Sequence, residues 1–231
     1  MPVKKYIILS LVLVFMFSWT QLVYPASCYG TKMPQKNKFF IGLESDFLFN
    51  RYLENSQGKL RSKQQFLDVS YGIFDWLALD LKGGAGDIRQ HPQSSDEVNY
   101  SYGFAGGYGF RLRFLDRKNW KMVFGFQHIS VHPKRAFVAG VKNKAILDDW
   151  QTSLLVSYDF KRIVPYLGTR WSRVDYIHWV DDVRSRVMSD MTRDIGLIWG
   201  IDLPITEKIW LNIEGSAFDS DALACSIKYA F

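Results

Sequence analysis

Three residues of this chain are of the types that acyl-transfer chemistry uses. His128 and Ser130 stand two apart, and Asp148 opens a later alternating run. A serine hydroxyl becomes a nucleophile when an imidazole takes its proton, and a carboxylate that orients the imidazole completes the set. Residues two apart share one face of an extended strand, so His128 and Ser130 point the same way if this segment is a strand. Asp148 must then be brought to them by the neighbouring strand. The plainer reading makes all three polar residues at a strand end. Nothing in the chain has the form of a phosphate loop, a zinc site or a nucleotide-binding turn, so neither a cofactor nor a metal is expected.

The elements that would position these residues are strands of period two. Stepping by twos from the end gives Phe231, Tyr229, Ile227, Cys225 and Leu223, with Ala230, Lys228, Ser226, Ala224 and Ala222 between them. Phe39, Ile41, Leu43, Phe47 and Phe49 alternate with Gly42, Glu44, Asp46 and Asn50. The clearest run places Val98, Tyr100, Tyr102, Phe104, Tyr108, Phe110, Leu112 and Phe114 on one face, opposite Gly103, Ala105, Gly107, Gly109, Arg111 and Arg113. It is longer than a tilted membrane crossing needs. Similar runs around Val69, Leu79, Phe124, Val156, Leu167, Trp199 and Leu211 bring the expected total to about ten hairpin-connected strands, with eight possible. The connections alternate between short (after Ile73, Phe114, Phe160 and Leu203) and long (after Asp87, Ser130 and Arg173), so the two kinds lie at opposite ends.

The amino-terminal end reads as a secretory leader. Lys4 and Lys5 precede the apolar stretch Tyr6 to Phe17, and small residues follow at Ala26, Ser27 and Cys28. The domain division is a leader at 1–28 with cleavage after Cys28 or Gly30, a short periplasmic segment at 29–37, and a barrel at 38–231. Acylation of Cys28 is the rival, with Pro25 standing where a Leu-like residue is expected. Once Cys28 is lost or acylated, Cys225 has no partner for a disulfide. Removing Lys4 and Lys5 lowers the net charge from +6 to +4, too little to point to nucleic acid.

The terminal aromatic strand, the leader and the loop asymmetry resemble those of bacterial outer-membrane β-barrels. The resemblance implies an all-β fold, a transmembrane antiparallel up-and-down barrel. It also implies residence in the outer membrane of a diderm bacterium, and recognition of Ile227, Tyr229 and Phe231 by the barrel-assembly machinery. A secreted sandwich or lipocalin-like barrel also alternates, but its solvent face carries Lys, Glu and Thr rather than the Gly and Ala of the 103–109 run. His128, Ser130 and Asp148 are similar to the site of outer-membrane lipid A 3-O-deacylases. On that carry-over Ser130 is the nucleophile, His128 the base and Asp148 its orienter; the family's Asn after the Ser is Val131 here. His128-Ile129-Ser130-Val131-His132 also resembles the His-x-Ser-Ser-His run of an uncharacterised outer-membrane family. An omptin-type protease needs Asp-x-His, which Asp175 and His178 do not supply.

A barrel of this size directs one face of each strand into its lumen. The inward charges expected are Glu44, Asp46, Asp68, Asp80, Asp159, Asp194, Asp202 and Glu214 with Lys82, Arg111, Arg113, Lys121, Arg170 and Lys228. Mixed signs at this density pair across the lumen and stabilise the wall; the other reading is a narrow polar pore. Lys134, Arg135, Lys142 and Lys144 fall in an external loop, where lipopolysaccharide phosphates are the expected partners. The function expected is a non-catalytic outer-membrane barrel (small pore, receptor or wall component), with acyl hydrolysis at His128, Ser130 and Asp148 as the alternative.

Overall fold

The computed structural model describes residues 27–93 and 96–231; the expected leader lies outside the described residues except for Ser27 and Cys28. The strands are β1 (Phe39–Tyr52), β2 (Lys59–Phe74), β3 (Leu77–His91), β4 (Val98–Arg117), β5 (Trp120–His132), β6 (Ala136–Val138), β7 (Val141–Tyr158), β8 (Val164–Val180), β9 (Val183–Met188), β10 (Ile195–Pro204), β11 (Ile209–Ala217) and β12 (Asp221–Ala230). All pairings are antiparallel. Ten strands close into a barrel through β5–β7, β7–β8, β10–β8 and β1–β12, while β6 and β9 extend the hairpins of β7 and β8 at the long-loop end. Closure satisfies both edges of every barrel strand.

The alternation has the inside-out sense. Leu43 is 62 % exposed while its neighbour Glu44 is 3 % exposed. Leu67, Leu81, Phe104 and Leu167 continue the exposed apolar belt around the wall. In water such a belt would be costly, at about 25 cal/mol per Å² of apolar surface; against hydrocarbon it is favourable. At the short-turn end Phe39 stacks on Phe231 with ring centroids 4.3 Å apart, and Trp120 meets Tyr158 at 4.9 Å.

Two β-bulges change which side chains face inward. Between Gly86 and Ile88 of β3, strand β4 carries one extra residue, so Tyr100 turns into the lumen and is 2 % exposed. The alternation had placed Tyr100 on the outer face, because simple counting by twos does not see the inserted residue. An extra residue between Leu48 and Arg51 of β1 likewise turns Arg51 inward in place of Asn50.

The lumen is filled in two layers. The long-loop half holds an apolar core that includes Leu60, Phe66, Ile88, Tyr100, Ile129, Leu147 and Tyr176. In the other half the wall is polar, and the amino-terminal segment runs through it. Residues 29–37, expected as a periplasmic segment, are largely interior: Tyr29, Thr31 and Met33 are buried, and the chain emerges at the short-turn end. There Lys36 N–H donates to Asp75 Oδ1 at 2.9 Å and Asn37 N–H to Gly72 O at 2.8 Å. A Cβ on Gly72 would lie 2.1 Å from Gln35 O, so only glycine lets the segment pass.

Candidate functional site

Register between β5 and β7 sets Ser130 directly opposite Asp148, and His128 opposite Trp150. All four face outward. Ser130 Oγ donates to Asp148 Oδ1 and lies 2.8 Å from His132 Nε2. His128 Nε2 is 3.7 Å from Asp148 Oδ1, and its ring packs at 4.1 Å on Trp150 and 5.4 Å on Tyr108. No hydrogen bond joins His128 to Ser130 among the described residues. The imidazole nearest the hydroxyl is therefore His132, which the sequence names only as part of the 128–132 run. Its signal was its place two residues beyond Ser130, on the same face.

This cluster has a hydroxyl, an adjacent imidazole and a carboxylate, which are the parts that activate a serine, but the hydroxyl proton is directed to Asp148, so the His132 ring donates to Ser130 Oγ here. Its carboxylate binds the hydroxyl itself rather than the His132 ring. The backbone around Ser130 belongs to the β4–β5 and β5–β7 ladders, so the ladder occupies the amides that an oxyanion hole would require.

Inside the barrel, ion pairs link strands far apart in sequence. Lys82 binds Glu44; Lys228 binds Asp68 at 3.0 Å and approaches Glu44 at 3.8 Å. Arg111 forks onto Asp80 at 2.9 and 2.7 Å. Arg170 binds Asp219 at 2.7 Å, and Arg51 approaches the same carboxylate at 3.4 Å. Asp202 accepts from Asn212 at 2.8 Å, and Glu214 accepts from the Tyr166 hydroxyl at 2.8 Å. Asp46 is fully buried against the carboxyl of Glu44 and meets no basic group among the described residues.

The amino-terminal segment is tied into this network. Arg111 Nη1 donates to the carbonyls of Tyr29 at 2.9 Å and Lys32 at 2.7 Å. Gln127 Nε2 donates to Ser27 O at 2.8 Å, and Cys28 N–H donates to Glu214 Oε1 at 2.5 Å. The Tyr29 ring lies 4.4 Å from Lys82 Nζ.

Of the remaining expected lumen charges, three stand at the mouth and one lies elsewhere. Arg113, Lys121 and Asp159 sit at the short-turn rim: Arg113 donates to Asp75 O and pairs with Asp116 at 3.2 Å, and Asp159 accepts from Lys161 N–H at 2.6 Å. Arg113 lies within β4 opposite buried Val123 and Lys121 within β5 opposite buried Ser157, so both keep the inward face near the short turns, while Asp159 follows the end of β7. Asp194 precedes β10 and accepts from the indole of outward-facing Trp171 at 3.0 Å. Arg51 and Asp219 were not expected inside; a bulge turns the first inward and the β11–β12 turn folds the second in. Lys142 and Lys144 both reach Asp182, at 3.0 and 3.4 Å, whereas Lys134 and Arg135 are exposed. Ile227, Tyr229 and Phe231 face outward.

No family model and no curated protein matches the chain. Solved structures do. An outer membrane channel from Pseudomonas putida shares 9 % identity over 89 % of this chain and all of that one, with a TM-score of 0.52. The transport unit of the autotransporter AIDA-I from Escherichia coli shares 12 % over 89 % of this chain and 93 % of that one, with a TM-score of 0.50. The outer membrane protease OmpT from Escherichia coli shares 11 % over 84 % and 95 %, with a TM-score of 0.43. The chain has the fold of the bacterial outer-membrane β-barrels.

Proposed function

We propose that this protein resides in the outer membrane of a diderm bacterium as a closed, non-conducting barrel without catalysis, a wall component or surface receptor. The observation that carries the reading is the filled lumen, with an apolar core in one half and the amino-terminal segment among ion pairs in the other. A solute path would have to cross both layers. The exposed apolar belt supports the membrane location, and the short-turn end then faces the periplasm. At the opposite mouth a cleft of about 660 Å³, lined by residues including Tyr52, Glu54, Lys59, His91, Asp190 and Arg193, is the surface a ligand would meet. Exposed Lys134 and Arg135 suit lipopolysaccharide phosphates there. Planar-bilayer recording tests the reading. The folded wild type is expected to be silent, and discrete conductance steps would overturn it.

A second reading, acyl-ester hydrolysis at the lipid-facing wall, is favoured by the 2.8 Å contact between Ser130 Oγ and His132 Nε2 beside Asp148. In it the Ser130 hydroxyl turns from Asp148 and gives its proton to His132, rather than His128, as Oγ attacks the ester carbonyl; the alcohol leaves with that proton and water then hydrolyses the acyl-serine to a free acid. Mass spectrometry of lipid A from cells expressing wild type or Ser130→Ala separates the readings. A deacylated species lost in the variant supports hydrolysis; identical, fully acylated spectra remove it.

A further inference from the structure

The half of the lumen that holds the amino-terminal segment carries more negative than positive charge where that segment begins. Glu44, Asp46, Asp68 and Glu214 are buried there, and the ammonium groups among them are Lys82 and Lys228. Arg111 is engaged by Asp80, and Arg170 by Asp219. The imbalance centres on Asp46, whose buried carboxyl lies against that of Glu44 and meets no basic group, and on Glu214, whose Oε1 is held by the Cys28 N–H at 2.5 Å. A buried carboxylate without a counter-charge is strongly disfavoured. No group of three or more His, Cys, Asp or Glu residues suited to a metal occurs among the described residues.

We propose that the missing cation is the protein's own processed amino terminus, and that Glu44, Asp46 and Glu214 form its seat. Hydrolysis of one peptide bond in the leader junction releases a carboxylate on the leader and an ammonium on the mature chain. Cleavage after Cys28 places that ammonium on Tyr29, one residue from the nitrogen that now touches Glu214, a step of about 3.3 Å along an extended chain. The charge then anchors a segment whose carbonyls are already held by Arg111. An acylated Cys28 does not fit this arrangement, because Cys28 is buried inside the barrel and its lipid chains would have no hydrocarbon to enter. The seat goes beyond the non-conducting reading and rests on the leader expected at residues 1–28.

The test uses mature protein extracted from outer membranes in mild detergent. Its intact mass and amino-terminal peptide locate the terminus. N-hydroxysulfosuccinimidyl acetate then labels free amines in the folded and the denatured protein, with exposed lysines as internal reference. The α-amine is expected at or next to Tyr29 and to label more slowly in the folded state by on the order of tenfold or more. Asp46→Asn and Glu214→Gln are each expected to restore labelling while the folded band persists on unheated gels. The wild-type measurement stands even if one variant fails to fold. A processed terminus that labels at the rate of exposed lysines overturns the seat, as does protection unchanged in both variants. An unprocessed chain, or one acylated at Cys28, overturns the proposal through the leader instead, and its mass shows which has failed.

Discussion

Arg111 and Asp80 face each other across β4 and β3, two hydrogen bonds apart at 2.9 and 2.7 Å, and the same guanidinium reaches the Tyr29 carbonyl at 2.9 Å. One side chain thus neutralises a wall carboxylate and holds the segment that fills the lumen. Arginine suits this task because its planar fork donates in several directions at once.

Replacing Arg111 with Ala strands Asp80 as a buried unpaired charge and frees the carbonyls of Tyr29 and Lys32. The expected cost is about 3–5 kcal/mol. Urea unfolding of the reconstituted barrel, followed by tryptophan fluorescence, reads it as a lowered midpoint. Arg111→Lys restores charge without the fork and is expected to recover only part of the loss.

Deleting residues 29–34 is expected to leave the barrel silent in bilayers. The apolar layer that contains Leu60, Tyr100, Ile129 and Tyr176 closes the long-loop half independently, and the Tyr100 and Tyr176 hydroxyls meet at 3.4 Å. Conductance is expected only when the deletion is combined with Tyr100→Ala and Tyr176→Ala. Steps from the single deletion would show that the amino-terminal segment is the sole barrier.

Leu81 is 60 % exposed in the apolar belt. Leu81→Arg is expected to destabilise the membrane-inserted state by about 2–4 kcal/mol if the position lies near the bilayer midplane. Reversible folding into phospholipid vesicles measures it. A neutral effect would place this face in water and contradict the membrane reading.

Asp190 lies in the loop between β9 and β10, where its carboxylate accepts from Thr192 N–H at 2.9 Å and from the Thr192 hydroxyl at 2.8 Å. These bonds hold its pKa below the ordinary aspartate value. The contribution to loop order is therefore complete at neutral pH. It is lost as the pH falls through the depressed value, after exposed aspartates have already begun to protonate. Protection of the Thr192 amide, measured against its intrinsic exchange rate at each pH, is expected to fall only in that acid window, and Asp190→Ala should lack it at all pH values.

Much of this molecule is legible as alternation. The Leu43–Glu44 step and the 103–109 run of small residues follow from the strand period, and the ten-strand count from the turn signals. So does the shared face of His128 and Ser130. What counting by twos misses is any position where the period breaks. Tyr100 and Arg51 lie beyond β-bulges, and an inserted residue reverses every face that follows it. The partner of Ser130 is not fixed by the period, for a different reason. His128 and His132 are equally spaced from it in sequence, and only side-chain direction chooses His132.

The sequence by itself determined that ten strands carry an apolar face outward, because each residue's chemistry and the fixed two-residue period are local properties. Whether the interior is open was decided by the tertiary structure alone. Asp219, Arg51 and Arg170 meet from separate parts of the chain, and residues 27–34 lie inside the barrel rather than below it. Those outcomes depend on charge and volume being balanced within an enclosed space, and that space exists only once β1 has closed on β12.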